Sequence, residues 1–195
     1  MRFVDEYRDP QKVMRLIETL NARANALPYT PQRPLRIMEV CGGHTHAIFK
    51  FGLDQLLPEN IEFIHGPGCP VCVLPMGRID TCIEIASHPE VIFCTFGDAM
   101  RVPGKNGSLL DARMRGADVR IIYSPADALK LAQQHPDRKV VFFGLGFETT
   151  MPATALTLRQ AKAANVQNFF FFCQHITLIP VLKSLLEQPE NGIDA

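Results

Sequence analysis

The chain has 195 residues, 47% of them hydrophobic, with 20 Lys and Arg against 20 Asp and Glu. That length buries a substantial core in one large or two small domains. The formal net charge of zero gives bulk electrostatics no means to recruit nucleic acid or an anionic membrane, since both favour a basic face. Apolar runs such as Phe169 to Cys173 are far too short to span a bilayer. The stretch Met1 to Glu6 is charged and lacks the apolar core of a secretory signal. A cytoplasmic location is therefore expected. There the six cysteines stay reduced and read as ligands, redox groups or core residues rather than structural disulfides.

In chain order, Asp9-Pro10 reads as an N-cap followed by proline at the first helical position. Val13, Leu16, Ile17, Leu20 and Ala24 then recur at helical spacing, which predicts an amphipathic helix over 10–26. Pro28 to Pro34 is a proline-rich linker. Six apolar runs follow: Leu35 to Val40, Ile61 to His65, Val91 to Phe96, Val119 to Tyr123, Val140 to Gly144 and Phe169 to Cys173. Helical patterns separate most of them. Met76, Ile79, Cys82, Ile83 and Ala86 share a face, Ser124-Pro125 caps a helix, Thr149 or Thr150 caps another, and Leu178 to Leu185 marks the last. Alternating strands and helices predict an α/β fold with mostly parallel sheets covered by helices on both faces. The expected division is a helix and linker over 1–34, a first α/β domain over 35–136 and a partial second domain over 137–195. Ile193 reads as the possible opening of a further strand, so the second domain is expected to be cut short.

In open parallel sheets, ligands bind beyond the carboxyl ends of the strands. The loops there carry the chemistry. Gly66-Pro67-Gly68-Cys69-Pro70-Val71-Cys72 places two cysteines at a spacing that chelates one metal or closes a small disulfide. A helix beginning near Pro75-Met76 would favour thiolate and other anions. Met38-Glu39-Val40-Cys41-Gly42-Gly43-His44-Thr45-His46 sets Cys41 at a strand end in an open, glycine-flanked loop. His44 and His46 are candidates for ligands, acid–base groups or hydrogen-bonding partners behind the ligands. Glu39 is expected to point away from Cys41. Cys82 and Cys94 read as buried core thiols, with Cys173 near a strand end. Glu148 in Gly146-Phe147-Glu148-Thr149-Thr150 is either the acidic first turn of a helix or a functional carboxylate. Asp98 and Arg101 are read either as functional groups or as a salt-bridged loop.

Together these motifs resemble the hydrogenase maturation factor HypD family. The match runs through 38–45, 66–72, 97–104, 117–125 and 146–152, and covers essentially the chain from residue 35. The resemblance implies two similar α/β domains and a role in building the Fe(CN)2CO group of NiFe hydrogenases, together with HypC and the cyanide-delivering HypE. It implies that Cys41, Cys69 and Cys72 are the iron or redox cysteines, with His44 and Glu148 in characteristic motifs. The family also carries a C-terminal cysteine-rich part with a 4Fe-4S cluster. Only Cys173 follows Cys94, so the ligands of that cluster are absent from this chain.

Iron bearing CO and cyanide suits soft thiolates, and anionic cyanides suit backbone N–H groups at helix starts. The favoured reading is thus an assembly scaffold rather than a conventional turnover enzyme. Two alternatives compete. A thiol–disulfide oxidoreductase would use Cys69 and Cys72, but it leaves Cys41 without a role. A structural zinc site would need four ligands, namely Cys41, Cys69, Cys72 and either His44 or His46.

Overall fold

The computed structural model describes Asp5 and residues 8–195. Apart from Asp5, the charged N-terminal stretch lies outside the described residues. The chain forms two compact units, one of residues up to Cys69 together with Val181–Ala195, the other Pro70–Pro180. This division differs from the boundary expected near residue 136. Residues on both sides of that point belong to one sheet, where Val91 pairs with Lys139.

The first unit opens with α1 (Pro10–Ala24), and Asp9 Oδ1 accepts from the N–H groups of Gln11 at 3.0 Å and Lys12 at 3.3 Å. The cap and the Pro at the first helical position act as the sequence predicts. Asn60 then ties the end of α1 to the sheet, since its Nδ2 donates to the Ala24 carbonyl at 2.8 Å. β1 (Leu35–Glu39) and β2 (Ile61–His65) are parallel, with Leu35 opposite Ile61 and Glu39 opposite His65. Between them run α2 (Gly42–Lys50) and α3 (Leu53–Leu56). On the other edge of β1, Ala195 N–H donates to the Arg36 carbonyl at 3.1 Å and Met38 N–H to the Ala195 carbonyl at 2.7 Å. That alternation is one rung of a parallel ladder. It lies just beyond Ile193, where the sequence suggests a strand opening.

The second unit is an α/β sandwich around a parallel sheet of order β4-β3-β5-β6. Its strands are β3 (Val91–Thr95), β4 (Val119–Ile121), β5 (Lys139–Gly146) and β6 (Phe169–His175). Its helices are α4 (Pro70–Val73), α5 (Met76–Ala86), α6 (Leu109–Met114), α7 (Pro125–Gln134) and α8 (Met151–Ala163), and α9 (Ile179–Leu186) leads out of it. β3 is buried along its whole length, as is β5 apart from Lys139, as expected for strands covered on both faces. One face packs Val91, Phe93, Val141 and Phe143 under α5 and α6. The opposite face packs Ile92, Cys94, Val140 and Phe142 under Ala128 and Ala132 of α7. Period-two alternation along β3 and β5 sends successive side chains to the two cores. Phe142 stacks on Phe171 at 5.6 Å between centroids, and Phe143 lies 5.9 Å from Phe172. Gly144 leaves the space the Phe171 ring occupies, because a Cβ there would collide with it.

Ser124 caps α7 as expected, in a capping box with Asp127. Thr150, by contrast, offers no side-chain cap to α8. Its Oγ1 donates to the Phe147 carbonyl at 2.9 Å instead, because an intervening 3-10 turn over Glu148–Thr150 brings that carbonyl within its reach.

Asp118 fastens the start of β4. Its carboxylate accepts from Arg120 Nε at 2.8 Å and Nη2 at 2.9 Å, and from Arg138 Nη1 at 2.6 Å. The Arg120 hydrogen bonds hold its carboxyl below the ordinary range, against an opposing effect of burial and with help from Arg138. A depressed native pKa contributes stability that is complete above the unfolded value of about 3.9. It is lost as pH falls through the native value. Asp118→Asn is therefore expected to lower unfolding free energy at neutral pH by roughly 2 kcal/mol. It should also flatten the acid limb of the stability profile, as denaturant unfolding between neutral pH and about pH 3 would measure.

Candidate functional site at the carboxyl ends of the strands

Cys41 is not in an open loop. It is the N-cap residue of α2, with extended backbone (φ −129°, ψ 115°), and its carbonyl accepts from His44 N–H at 2.8 Å and Thr45 N–H at 3.0 Å. Gly42 and Gly43, read from the sequence as space around the cysteine, are the first helical turn. A Cβ at residue 43 would lie 3.6 Å from Cys41 Sγ, so the half-buried thiol lies close to that first turn.

Glu39 does not point away from Cys41. Its Oε2 accepts from the Cys41 N–H at 2.8 Å. A strand repeats every two residues, so positions 39 and 41 begin on one face, and the turn into α2 presents the amide to the carboxylate. The other oxygen, Oε1, accepts from the Thr45 hydroxyl and is bonded by His65 Nδ1 at 2.7 Å. Burial pushes the Glu39 carboxyl up, but the hydrogen bonds from Thr45, His65 and Cys41 N–H outweigh it and hold the group below its ordinary range. His65 also packs on Phe49 of α2, with ring centroids 5.1 Å apart.

The second cysteine motif leaves β2 at Gly66. Its N–H donates to the Glu39 carbonyl at 2.8 Å. A Cβ at residue 66 would lie 2.9 Å from the Glu39 carbonyl oxygen, Met38 Sδ and Val40 Cγ1. The glycine is required for this close approach of backbone to backbone. Gly68 takes φ +107°, a left-handed conformation that favours glycine. Cys69 is half-buried and immediately precedes α4, which carries the exposed Cys72. Val71 and Leu74 pack on the core of the second unit and anchor this short helix. Within that unit Cys72 lines a cavity of about 460 Å3 together with Asp98 and Arg101. Asp98 accepts from the Ala99 N–H at 2.9 Å. Among the described residues no three His, Cys, Asp or Glu side chains are gathered closely enough to hold a metal ion.

The remaining candidates separate by environment. His44 and His46 are exposed on α2. Glu148 accepts from Leu178 N–H at 2.9 and 3.0 Å and from Ile179 N–H at 3.2 Å. Those bonds, Leu178 first, lower its pKa, and they make it the anchor of the entry to α9. Cys82 and Cys94 are fully buried, and burial pushes both thiols up to about 12, as expected of core cysteines. Cys173 is exposed at the carboxyl end of β6, with Sγ 3.8 Å from His175 Nδ1. His65 is the residue beside the motif cysteines to which the sequence assigns no role. Only the register of β1 and β2 reveals it.

The family model for HypD, described as the hydrogenase formation hypA family, matches residues 11–195. The chain belongs to the HypD family. It is 84% identical to the hydrogenase maturation factor HypD of Escherichia coli (strain K12) over 195 residues, which cover 100% of this chain and 52% of that protein. It is 56% identical to the HypD of Rhodobacter capsulatus over 194 residues, or 100% of this chain and 52% of that one. The HypD of Azotobacter vinelandii is 52% identical over 191 residues, 97% of this chain and 49% of that one. The chain thus spans about half the length of the HypD relatives it matches. Among the described residues no helix is long and apolar enough to cross a membrane.

Because the two HypD cysteine motifs are brought together at Gly66, this position is intolerant of a side chain. Gly66→Ala is expected to destabilise the first unit by roughly 1–3 kcal/mol through overpacking. It should also increase hydrogen exchange at the Cys41 amide, measured by mass spectrometry on peptides spanning 38–46.

Proposed function

We propose that this chain is the part of a cytoplasmic hydrogenase maturation factor that handles iron during assembly of the Fe(CN)2CO group of NiFe hydrogenases, in concert with HypC and HypE. The iron is cargo, to be taken up and passed on. The observation that carries this reading is the placement of Cys41 at the N-terminus of α2, two residues beyond β1, whose parallel partner β2 leads to Cys69. A cysteine thiolate is a soft ligand suited to low-spin iron.

In this reading Cys41 is the principal iron ligand and the one shared with HypC, while Cys69 and Cys72 supply further thiolates. An open set of thiolates, rather than a closed four-ligand cage, lets iron be held and then released. The cavity that Cys72 shares with Arg101 offers a cation to a group bearing anionic cyanides. His44, exposed one turn along α2, is available to a docking partner or a bound ligand. Glu148 is assigned a supporting role, since its carboxylate is engaged by backbone N–H groups. A second reading concerns Cys69 and Cys72 alone. Cys69 stands directly before α4, as the first cysteine of a Cys-x-x-Cys redox pair does. Closing a disulfide there by thiol–disulfide exchange would pass two electrons and two protons to a partner disulfide, which is reduced to two thiols.

The test is infrared spectroscopy of the full-length protein co-expressed with HypC and purified anaerobically. CO and CN stretching bands are expected, and Cys41→Ala should abolish them while Cys82→Ala leaves them intact. Normal bands and normal maturation in Cys41→Ala would remove Cys41 from the iron site. Zinc in place of iron, with no such bands in the unaltered protein, would favour a structural site.

A further inference from the structure

We propose that Glu39 and His65 are positioning residues for the iron site, forming a clamp that fixes Cys41 relative to the loop carrying Cys69. This rests on the reading of Cys41 as an iron ligand. Glu39 ends β1 and His65 ends β2, and the two are direct partners in the parallel register. Each cysteine motif therefore begins at one member of this pair. Their side chains are joined at 2.7 Å, and their backbones at 2.8 Å through Gly66 N–H and the Glu39 carbonyl.

The Glu39 carboxylate has each oxygen committed. Oε2 receives the Cys41 amide at 2.8 Å. Oε1 receives the Thr45 hydroxyl and the His65 ring. The Glu39 side chain is 11% exposed, whereas His65 is 36% exposed, so the carboxylate is sheltered and the ring closes it off from one side. The amide that Glu39 binds belongs to the ligand residue itself, and Thr45 lies one turn into the helix that Cys41 caps. Glu39 thus holds the ligand's backbone and the first turn of its helix at once. Removing the clamp leaves every thiolate in place but frees the direction in which Cys41 presents its sulfur. Groups that orient a ligand without touching the metal commonly change metal affinity by roughly 10- to 100-fold when removed.

The experiment uses the full-length protein co-expressed with HypC and carrying His65→Ala, His65→Asn, Thr45→Val or Glu39→Gln. An asparagine side chain places an amide N–H near the position of Nδ1, so His65→Asn is the conservative rescue. Two readouts are taken. Hydrogen exchange at the Cys41 amide reports the clamp in iron-free protein. The intensity and position of the CO and CN infrared bands report the bound iron. His65→Ala and Glu39→Gln are expected to speed exchange at Cys41 and to lower band intensity by about tenfold, while His65→Asn restores both to within about twofold of the unaltered protein. Thr45→Val, which keeps side-chain volume, should give a partial loss, and unchanged far-ultraviolet circular dichroism will show that α2 persists. If the unaltered protein lacks the bands, the iron-scaffold reading itself fails. If it shows them and His65→Ala and Glu39→Gln match it in both readouts, the clamp is overturned. A His65→Ala loss that His65→Asn does not restore also overturns it, because the hydrogen bond would then not be the cause.

Discussion

The candidate site depends on the parallel pairing of two short strands that end side by side. Parallel strands send their following loops to the same edge of the sheet, so β1 and β2 deliver Cys41 and the Cys69 loop from adjacent points. The pairing is held by the register Glu39 opposite His65 and by the backbone bond from Gly66 to Glu39. A glycine at the start of the second loop is what allows this approach, because any Cβ would press on three atoms of β1 and its flank. With a two-stranded ladder the backbone alone provides little rigidity. The Glu39 hydrogen bonds to Cys41, Thr45 and His65 supply it at the cap of α2.

The second unit plays a different part. Its four parallel strands carry a core on each face, with phenylalanines of β3, β5 and β6 packed across the ladder. Such a core gives α4 a firm seat through Val71 and Leu74. Cys72 is thereby presented on a well-anchored turn beside Arg101, whereas Cys41 is presented by a cap whose geometry rests on polar side chains. The two cysteines differ in what fixes them, packing in one case and hydrogen bonding in the other.

Much of this is legible in the sequence. The alternation of apolar runs and helical faces predicts the parallel α/β class, because period-two and 3.6-residue patterns reflect burial directly. Asp9, Ser124 and the core cysteines behave as read, since caps and apolar faces are local properties. The less legible features are those set by long-range contacts. Gly42-Gly43 reads as a loop but starts a helix, because the Cys41 carbonyl takes the N–H groups of His44 and Thr45. The sequence leaves the role of Glu39 open, because its partner His65 is distant in sequence and is brought to it only by strand register. Glu148 reads equally as a helix-start residue and a functional one, and its bonds to Leu178 and Ile179 come from a segment no local pattern would connect to it. The two units likewise interleave in sequence, and no composition shift marks that.

The central claim is that thiolates of this chain bind iron while its diatomic ligands are added. X-ray absorption at the iron edge, recorded on full-length protein isolated anaerobically with HypC, addresses this directly because it identifies the atoms bonded to the metal. Sulfur is expected in the first coordination shell, together with the multiple-scattering signature of linear Fe–C–N and Fe–C–O units. A first shell of nitrogen and oxygen alone would contradict the claim.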